Sequence, residues 1–255
     1  MRPDTPFEPV PDPRPTDAVW PEMTWPVPAD ARLTGETVTL TPFDPDVDPA
    51  DLYDALAADA VWRHLPWRPA DAADFGRYLR DLASLPDWHV WIVRSRAGIG
   101  DRPAGSILGL TCYLDARPRD ASLEIGFTAY TPSVWGSAVN PDAKLLVLEY
   151  AFEVLRVGRV QLKTDVRNQR SQRAIARLGA VYEGTLRRHF RRGDGTVRDS
   201  VLFSIVAEDW PRVRARLEGR RGGRSGGAEE VEDGQQEGRG DVEAHPGQVE
   251  AGGGQ

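Results

Sequence analysis

Pro132-Ser-Val-Trp-Gly-Ser-Ala-Val-Asn-Pro-Asp-Ala-Lys144 is the stretch on which the reading of this chain turns. Gly136, Ser137 and Ala138 carry so little side chain that a ligand can approach the backbone closely. Asn140 is a strong N-cap residue and Pro141 suits the first position of a helix, so the loop predicts a helix over 141–155. Leu145, Leu148, Phe152 and Leu155 form its apolar stripe. Upstream, residues 122–129 alternate as a strand, with Leu123, Ile125 and Phe127 on one face and Glu124, Gly126 and Thr128 on the other. A strand followed by a small-residue loop and a helix N-terminus is suited to an anion, because free amides and the helix dipole both point there. An ordinary, well-capped strand-to-helix turn has the same residues.

A second feature follows in Asp165-Val-Arg-Asn-Gln-Arg-Ser-Gln-Arg-Ala-Ile-Ala-Arg-Leu-Gly-Ala180. Asn168 can cap the helix 169–178, and Ser171 falls in its first turn. Around these two features the alternation and turn signals predict strands at 37–43, 88–93, 106–113, 159–166, 182–190 and 200–206, with helices at 49–59, 70–85 and from 209. The result is an α+β domain with a mixed, mostly antiparallel sheet.

The net charge of −7 over 255 residues belongs to the ends. Residues 1–32 carry −3 and nine prolines, residues 219–255 carry −4 and twelve glycines, and residues 33–218 balance to zero. We expect a partly ordered proline-rich arm at 1–32, a folded domain at 33–218 and a disordered tail at 219–255. No apolar run of membrane length and no basic start followed by an apolar stretch is present, which predicts a soluble, cytoplasmic chain without membrane attachment. The lone Cys112 reads as a small buried hydrophobe, and four scattered histidines make no metal-ligand spacing, so no metal is expected.

Taken in order, Glu124-Ile-Gly-Phe127, Trp135 to Lys144, Lys163-Thr-Asp-Val-Arg-Asn168 with Ser171, Arg177-Leu-Gly-Ala180, Glu183-Gly-Thr-Leu-Arg187, and Arg198 to Ser204 ending at Glu208-Asp-Trp210 resemble the GCN5-related N-acetyltransferase (GNAT) superfamily, in its RimJ/RimL-type branch. The resemblance covers about residues 33–210. It implies the GNAT fold: a twisted sheet flanked by helices, with acetyl-CoA in a V between two splayed parallel strands, here 122–129 and 159–166. By the resemblance, the pantetheine arm pairs with Phe127, Thr128, Ala129 and Tyr130. The pyrophosphate rests on the amides of Trp135, Gly136, Ser137, Ala138, Val139 and Asn140, while Asn168 and Arg173 complete the coenzyme site. Ser133 stands where the family usually has Gln or Arg, which removes one long polar contact to phosphate.

The resemblance further implies direct attack of an amine on the thioester, with Glu124 as general base and Ser171 as donor to the leaving thiolate. The alternative for Glu124 is a structural ion pair with an arginine. For the acceptor pocket the candidates are Trp62, Arg63 and Trp67 in the link between the early helices, and Arg187 and Phe190 on the late hairpin. The tryptophans would serve equally as core. The acceptor is read as an amine, either a protein N-terminus or a small molecule, and the protein as a monomer or homodimer. Residues 156–192 hold eleven Lys or Arg against two acidic residues. That stripe suits coenzyme phosphates. Its other readings are a ribosome-associated acceptor, an RNA-binding module, or a GNAT-like module that binds acyl-CoA without catalysis.

Overall fold

The predicted alternation at 37–43 forms β2 (Val38–Pro42), which pairs with a short β1 (Leu33–Thr34) and with β3 (His89–Ser95) in a computed structural model describing residues 8–12, 20–65 and 67–222. Much of the arm and the tail from 223 onward lie outside those residues. The chain continues as α1 (Pro49–Ala55), α2 (Asp59–Trp62) and α3 (Ala72–Ala83) before β3, then β4 (Ile107–Arg117), β5 (Ser122–Tyr130), α4 (Val139–Glu149), β6 (Arg159–Asp165), α5 (Gln169–Leu178), β7 (Val181–Arg191), β8 (Val197–Val206) and α6 (Trp210–Gly222). All eight strands join one open sheet in the order β1-β2-β3-β4-β5-β6-β8-β7. Every neighbouring pair is antiparallel except β5 with β6.

Alternation sorts the apolar side chains to two faces. Tyr113, Leu123, Ile125, Val160, Leu162, Val201, Phe203 and Ile205 pack with Leu145, Leu148 and Leu155 and with Val213 of α6. On the other face, Ile92, Leu110, Cys112 and Leu114 pack beneath Leu52, Leu56, Phe75 and Leu79 of α1 and α3. Cys112 is a free, buried thiol. Near the N-terminus Val27 is buried, and the Trp25 indole N–H donates to the Pro86 carbonyl, so this part of the arm lies against the domain. Asp142, one turn into α4, accepts hydrogen bonds from the Thr37 and Val38 amides at 2.7 and 3.0 Å, tying that helix to β2. No described helix is long and apolar enough to cross a membrane.

Two expectations at the centre of the sheet are corrected. Along β5, Gly126 faces Cys112 and Ala129 faces Leu110, so Phe127 and Thr128 together oppose the single residue Thr111. This is a β-bulge, with Phe127 held at φ 44°, and it reverses the phase of the strand. Phe127 therefore packs with the α1 and α3 core rather than with Leu123 and Ile125, and Thr128 turns to α4 rather than to the face of Glu124. Helix α4 also starts before Asn140: Ala138 holds the cap position, and Ser137 Oγ accepts the Val139 amide at 3.2 Å. Asn140 lies inside the first turn.

Candidate active site in the opening between two parallel strands

Strands β5 and β6 pair for only three residues, Ser122 with Arg159, Leu123 with Val160 and Glu124 with Gln161, and then diverge. Beyond Glu124 the β6-facing backbone of β5 has no strand partner in the sheet, which leaves unpaired peptide groups for a ligand to satisfy. The β5 arm of the opening runs into the small-residue loop. There Gly136 sits at φ 76° with open space around its α-carbon, and Gly136, Ser137 and Ala138 are exposed. The Gly136 and Ala138 amides donate to no backbone carbonyl among the described residues. The Trp135 indole N–H donates to the Tyr130 carbonyl at 3.0 Å, fixing this loop to the end of β5.

The β6 arm ends at α5, where Asn168 Oδ1 accepts the Ser171 amide at 3.0 Å. The cap uses the oxygen of Asn168 and leaves its Nδ2 available. The two arms meet at their outer ends, where the Arg170 guanidinium lies 3.8 Å from the centre of the Trp135 ring. Arg173 is exposed one turn further on, within 3.3 Å of Gln169 Oε1.

At the vertex, Glu124 is buried, and two side-chain donors fall on one of its oxygens. Gln161 Nε2 donates to Oε2 at 2.9 Å and Lys163 Nζ at 2.8 Å, while Oε1 accepts no hydrogen bond among the described residues. Burial raises the Glu124 pKa from the ordinary glutamate value, opposed by Lys163 and Gln161. An ion pair is thus present, but with a lysine, and it occupies half of the carboxylate. Gln161 and Lys163 were not singled out from sequence. Their signal was there: they alternate on β6, and a parallel partner brings alternate residues to the face of Glu124. A shallow cleft of about 210 Å³ lined by Glu124, Gln161, Asp115, Arg117 and Trp20 opens beside them.

The remaining candidates separate by burial. Trp62 is core: its ring packs edge-on against Phe75, and its N–H donates to the Leu56 carbonyl at 2.7 Å. Trp67 is half-buried and tilted over Tyr78, whose ring lies 6.0 Å from Phe127, so an aromatic row links the early helices to the bulge. Arg63 and Arg187 are exposed. Phe190 lies at 5.3 Å from Lys163 Nζ and 5.4 Å from Arg198 Cζ, which places it beside the Glu124 cluster. Asp165 is clasped by Arg192 through two hydrogen bonds of 2.6 and 2.8 Å, and its pKa is lowered, burial being outweighed by Arg192 and the Arg167 amide. No group of described residues could hold a metal ion.

An open mixed sheet, two parallel strands splayed around a buried carboxylate, and a small-residue loop before a helix together define a coenzyme-binding acyl-transfer architecture. Comparison with known proteins agrees. Residues 37–181 match the acetyltransferase (GNAT) domain, and the chain belongs to that family. A structure from T. thermophilus, solved as an acetyltransferase candidate, is 38% identical, with TM-score 0.66, and the match covers 77% of this chain and 99% of its own. The RimJ protein of Mycobacterium smegmatis, solved with CoA-disulfide, shares the fold at 21% identity and TM-score 0.62, over 80% of this chain and 98% of its own. The Bacillus subtilis uncharacterized N-acetyltransferase YoaA is 26% identical over 111 residues, 44% of this chain and 62% of its own length.

Proposed function

We propose that this protein transfers the acetyl group of acetyl-CoA directly to a primary amine, with no acyl-enzyme. The observation that carries the reading is the pairing of β5 and β6, which stops at Glu124 and leaves a ligand-sized strip of unpaired backbone leading to the exposed loop 136–138. Residues 127–130 would hold the pantetheine arm by strand-like hydrogen bonds, and the amides of Gly136 and Ala138 at the start of α4 would receive the pyrophosphate. Asn168 Nδ2 would reach the same arm from the β6 side. Acetyl-CoA supplies the activated thioester, and the chain orients it.

Glu124 acts as the base. Its Oε1 accepts no hydrogen bond among the described residues, and burial raises its pKa above the ordinary glutamate value, which makes the carboxylate a stronger proton acceptor; it takes the ammonium proton directly or through one water. Ser171 Oγ, in the first turn of α5, donates to the departing sulfur. The acceptor enters on the face of the sheet that carries Glu124, Lys163 and Phe190, walled by the aromatic row from Trp67. A protein α-amine, with an ordinary pKa of about 7.7–8.0, or a small-molecule amine of similar basicity suits one carboxylate base better than a lysine at about 10.4.

Thiol release from acetyl-CoA over a panel of peptide and small amines tests the reading. Amine-dependent release is the expected result. Tight acetyl-CoA binding with no transfer to any amine would assign the chain to a non-catalytic module, and salt-sensitive RNA binding without coenzyme affinity would assign it to nucleic acid.

A further inference from the structure

The face of β6, β8 and β7 opposite α4 carries an unusual number of charges, and those sheltered from solvent are paired with one exception among the described residues. Glu124 takes Lys163, Asp165 takes Arg192, and Glu183 takes Arg159. Arg198 remains. Its Nε donates to Ser200 Oγ at 3.0 Å, but no described carboxylate lies within ion-pair distance of it, and Nη1 and Nη2 have no hydrogen-bond partner among the described residues. It is nevertheless only partly exposed, and Asp199, its neighbour, is committed to the Arg188 amide. Asp165 and Glu124 attract it only from beyond ion-pair distance, and each is already held by another cation, so the water this guanidinium gives up is replaced by no carboxylate of its own. Arg198 also lies against the ring of Phe190, whose other cationic neighbour is the Lys163 that holds Glu124.

We propose that Arg198 is the seat of a carboxylate carried by the acceptor, so that the substrate class is an amine with an acidic group a fixed distance away. The inference rests on the acetyl-transfer reading of the Glu124 site. Planar guanidinium nitrogens left free at Nη1 and Nη2 match a carboxylate's two oxygens, which a lysine would not do. The distances to the Phe190 centroid place Lys163 and Arg198 at most about 11 Å apart, no more than about three residues of extended chain at roughly 3.3–3.6 Å each. In a peptide the acid is therefore a side chain no further along than the third residue. In a small molecule it is the carboxylate of an ω-amino acid of matching length. Phe190 packs on the stem between the two charges.

The test uses the full chain, acetyl-CoA, and peptides of one sequence in which a single Glu is moved through positions 2 to 5, each matched by its Gln counterpart. A parallel arm compares ω-amino acids of increasing length with their amides. We expect a KM at least tenfold lower for Glu than for Gln at position 2 or 3 and no preference at position 5. A matching preference in the ω-amino acid arm, larger than in the peptides, would identify a small-molecule acceptor. Arg198→Gln removes the preference, and Arg198→Lys restores part of it, while acetyl-CoA affinity measured by calorimetry reports that each variant is folded. If a variant does not fold, the Glu-to-Gln comparison on the unmodified protein decides alone. Equal use of Glu and Gln acceptors at every position overturns the proposal and leaves acetyl transfer standing, whereas absence of transfer to every amine overturns the acetyl-transfer reading itself.

Discussion

Replacing Lys144 by methionine should stabilise this protein at neutral pH, because the lysine is buried in α4 with no described carboxylate beside it. Its Nζ donates to Thr111 Oγ1 at 3.1 Å and Thr128 Oγ1 at 2.8 Å, and those hydroxyls are themselves 2.7 Å apart. Two acceptors serve a neutral amine, but they leave one proton of an ammonium unpaired. Burial pulls the Lys144 pKa down from 10.5 to about 7. The folded state thus binds fewer protons than the unfolded state between pH 7 and about 10, and stability rises with pH across that window by up to about 1.4 kcal/mol per unit. Below pH 7 both states are protonated, and the full desolvation cost, up to about 5 kcal/mol, is carried by the fold. Methionine fills the space without the charge, and the two threonine hydroxyls retain each other, so we expect a gain of roughly 1–4 kcal/mol at pH 7. Urea unfolding of both proteins from pH 6.5 to 10 measures it, read as the difference so that other titrating groups cancel. The gain should shrink as pH rises. A variant less stable than the parent by the same amount at every pH would refute the reasoning.

Two other substitutions probe the frame around the site. Gly126→Ala would place a methyl group 2.9 Å from Glu124 Oε1 and 2.9 Å from Leu114 Cδ2, so the carboxylate must shift. A displacement near 1 Å costs on the order of 10²-fold in kcat, while KM for acetyl-CoA should change little; an unchanged kcat would mean that Oε1 takes no part. Asp142→Ala leaves the Thr37 and Val38 amides unpaired beneath α4, costing about 2–5 kcal/mol in chemical denaturation. A loss below about 1 kcal/mol, the scale of a single ordinary hydrogen bond, would show that α4 is not tied to β2 through this carboxylate.

Much of this architecture was readable from local chemistry. Asn168, read as the cap of α5, performs that role, and Gly179 ends the helix in the left-handed conformation. The parallel pair and its splay were implied by the resemblance to the GNAT superfamily, not by local chemistry. The bulge did not follow, because Phe127 at positive φ contradicts the preference of its own residue type and is imposed by the pairing of β5 on β4. Helix α4 also starts earlier than Asn140 predicted: Ala138 takes the cap position, and Ser137 just before it accepts the Val139 amide. The fate of Trp62 was equally illegible, since an aromatic in a short link packs inward or outward according to what α3 offers, and Phe75 offers a buried face. Arg198 had no signal of its own. Its significance arises by subtraction, once the other sheltered charges on that face have found partners.

Glu124→Gln tests the central claim most directly. The general base must be ionised to work, so kcat/KM should rise with pH through a limb whose midpoint lies above the ordinary glutamate value, because burial raises that carboxyl. We predict that the variant binds acetyl-CoA normally, loses about 10²–10⁴-fold in transfer, and no longer shows that limb. A variant that keeps the parent's rate and its pH profile would contradict the assignment of Glu124 as the base.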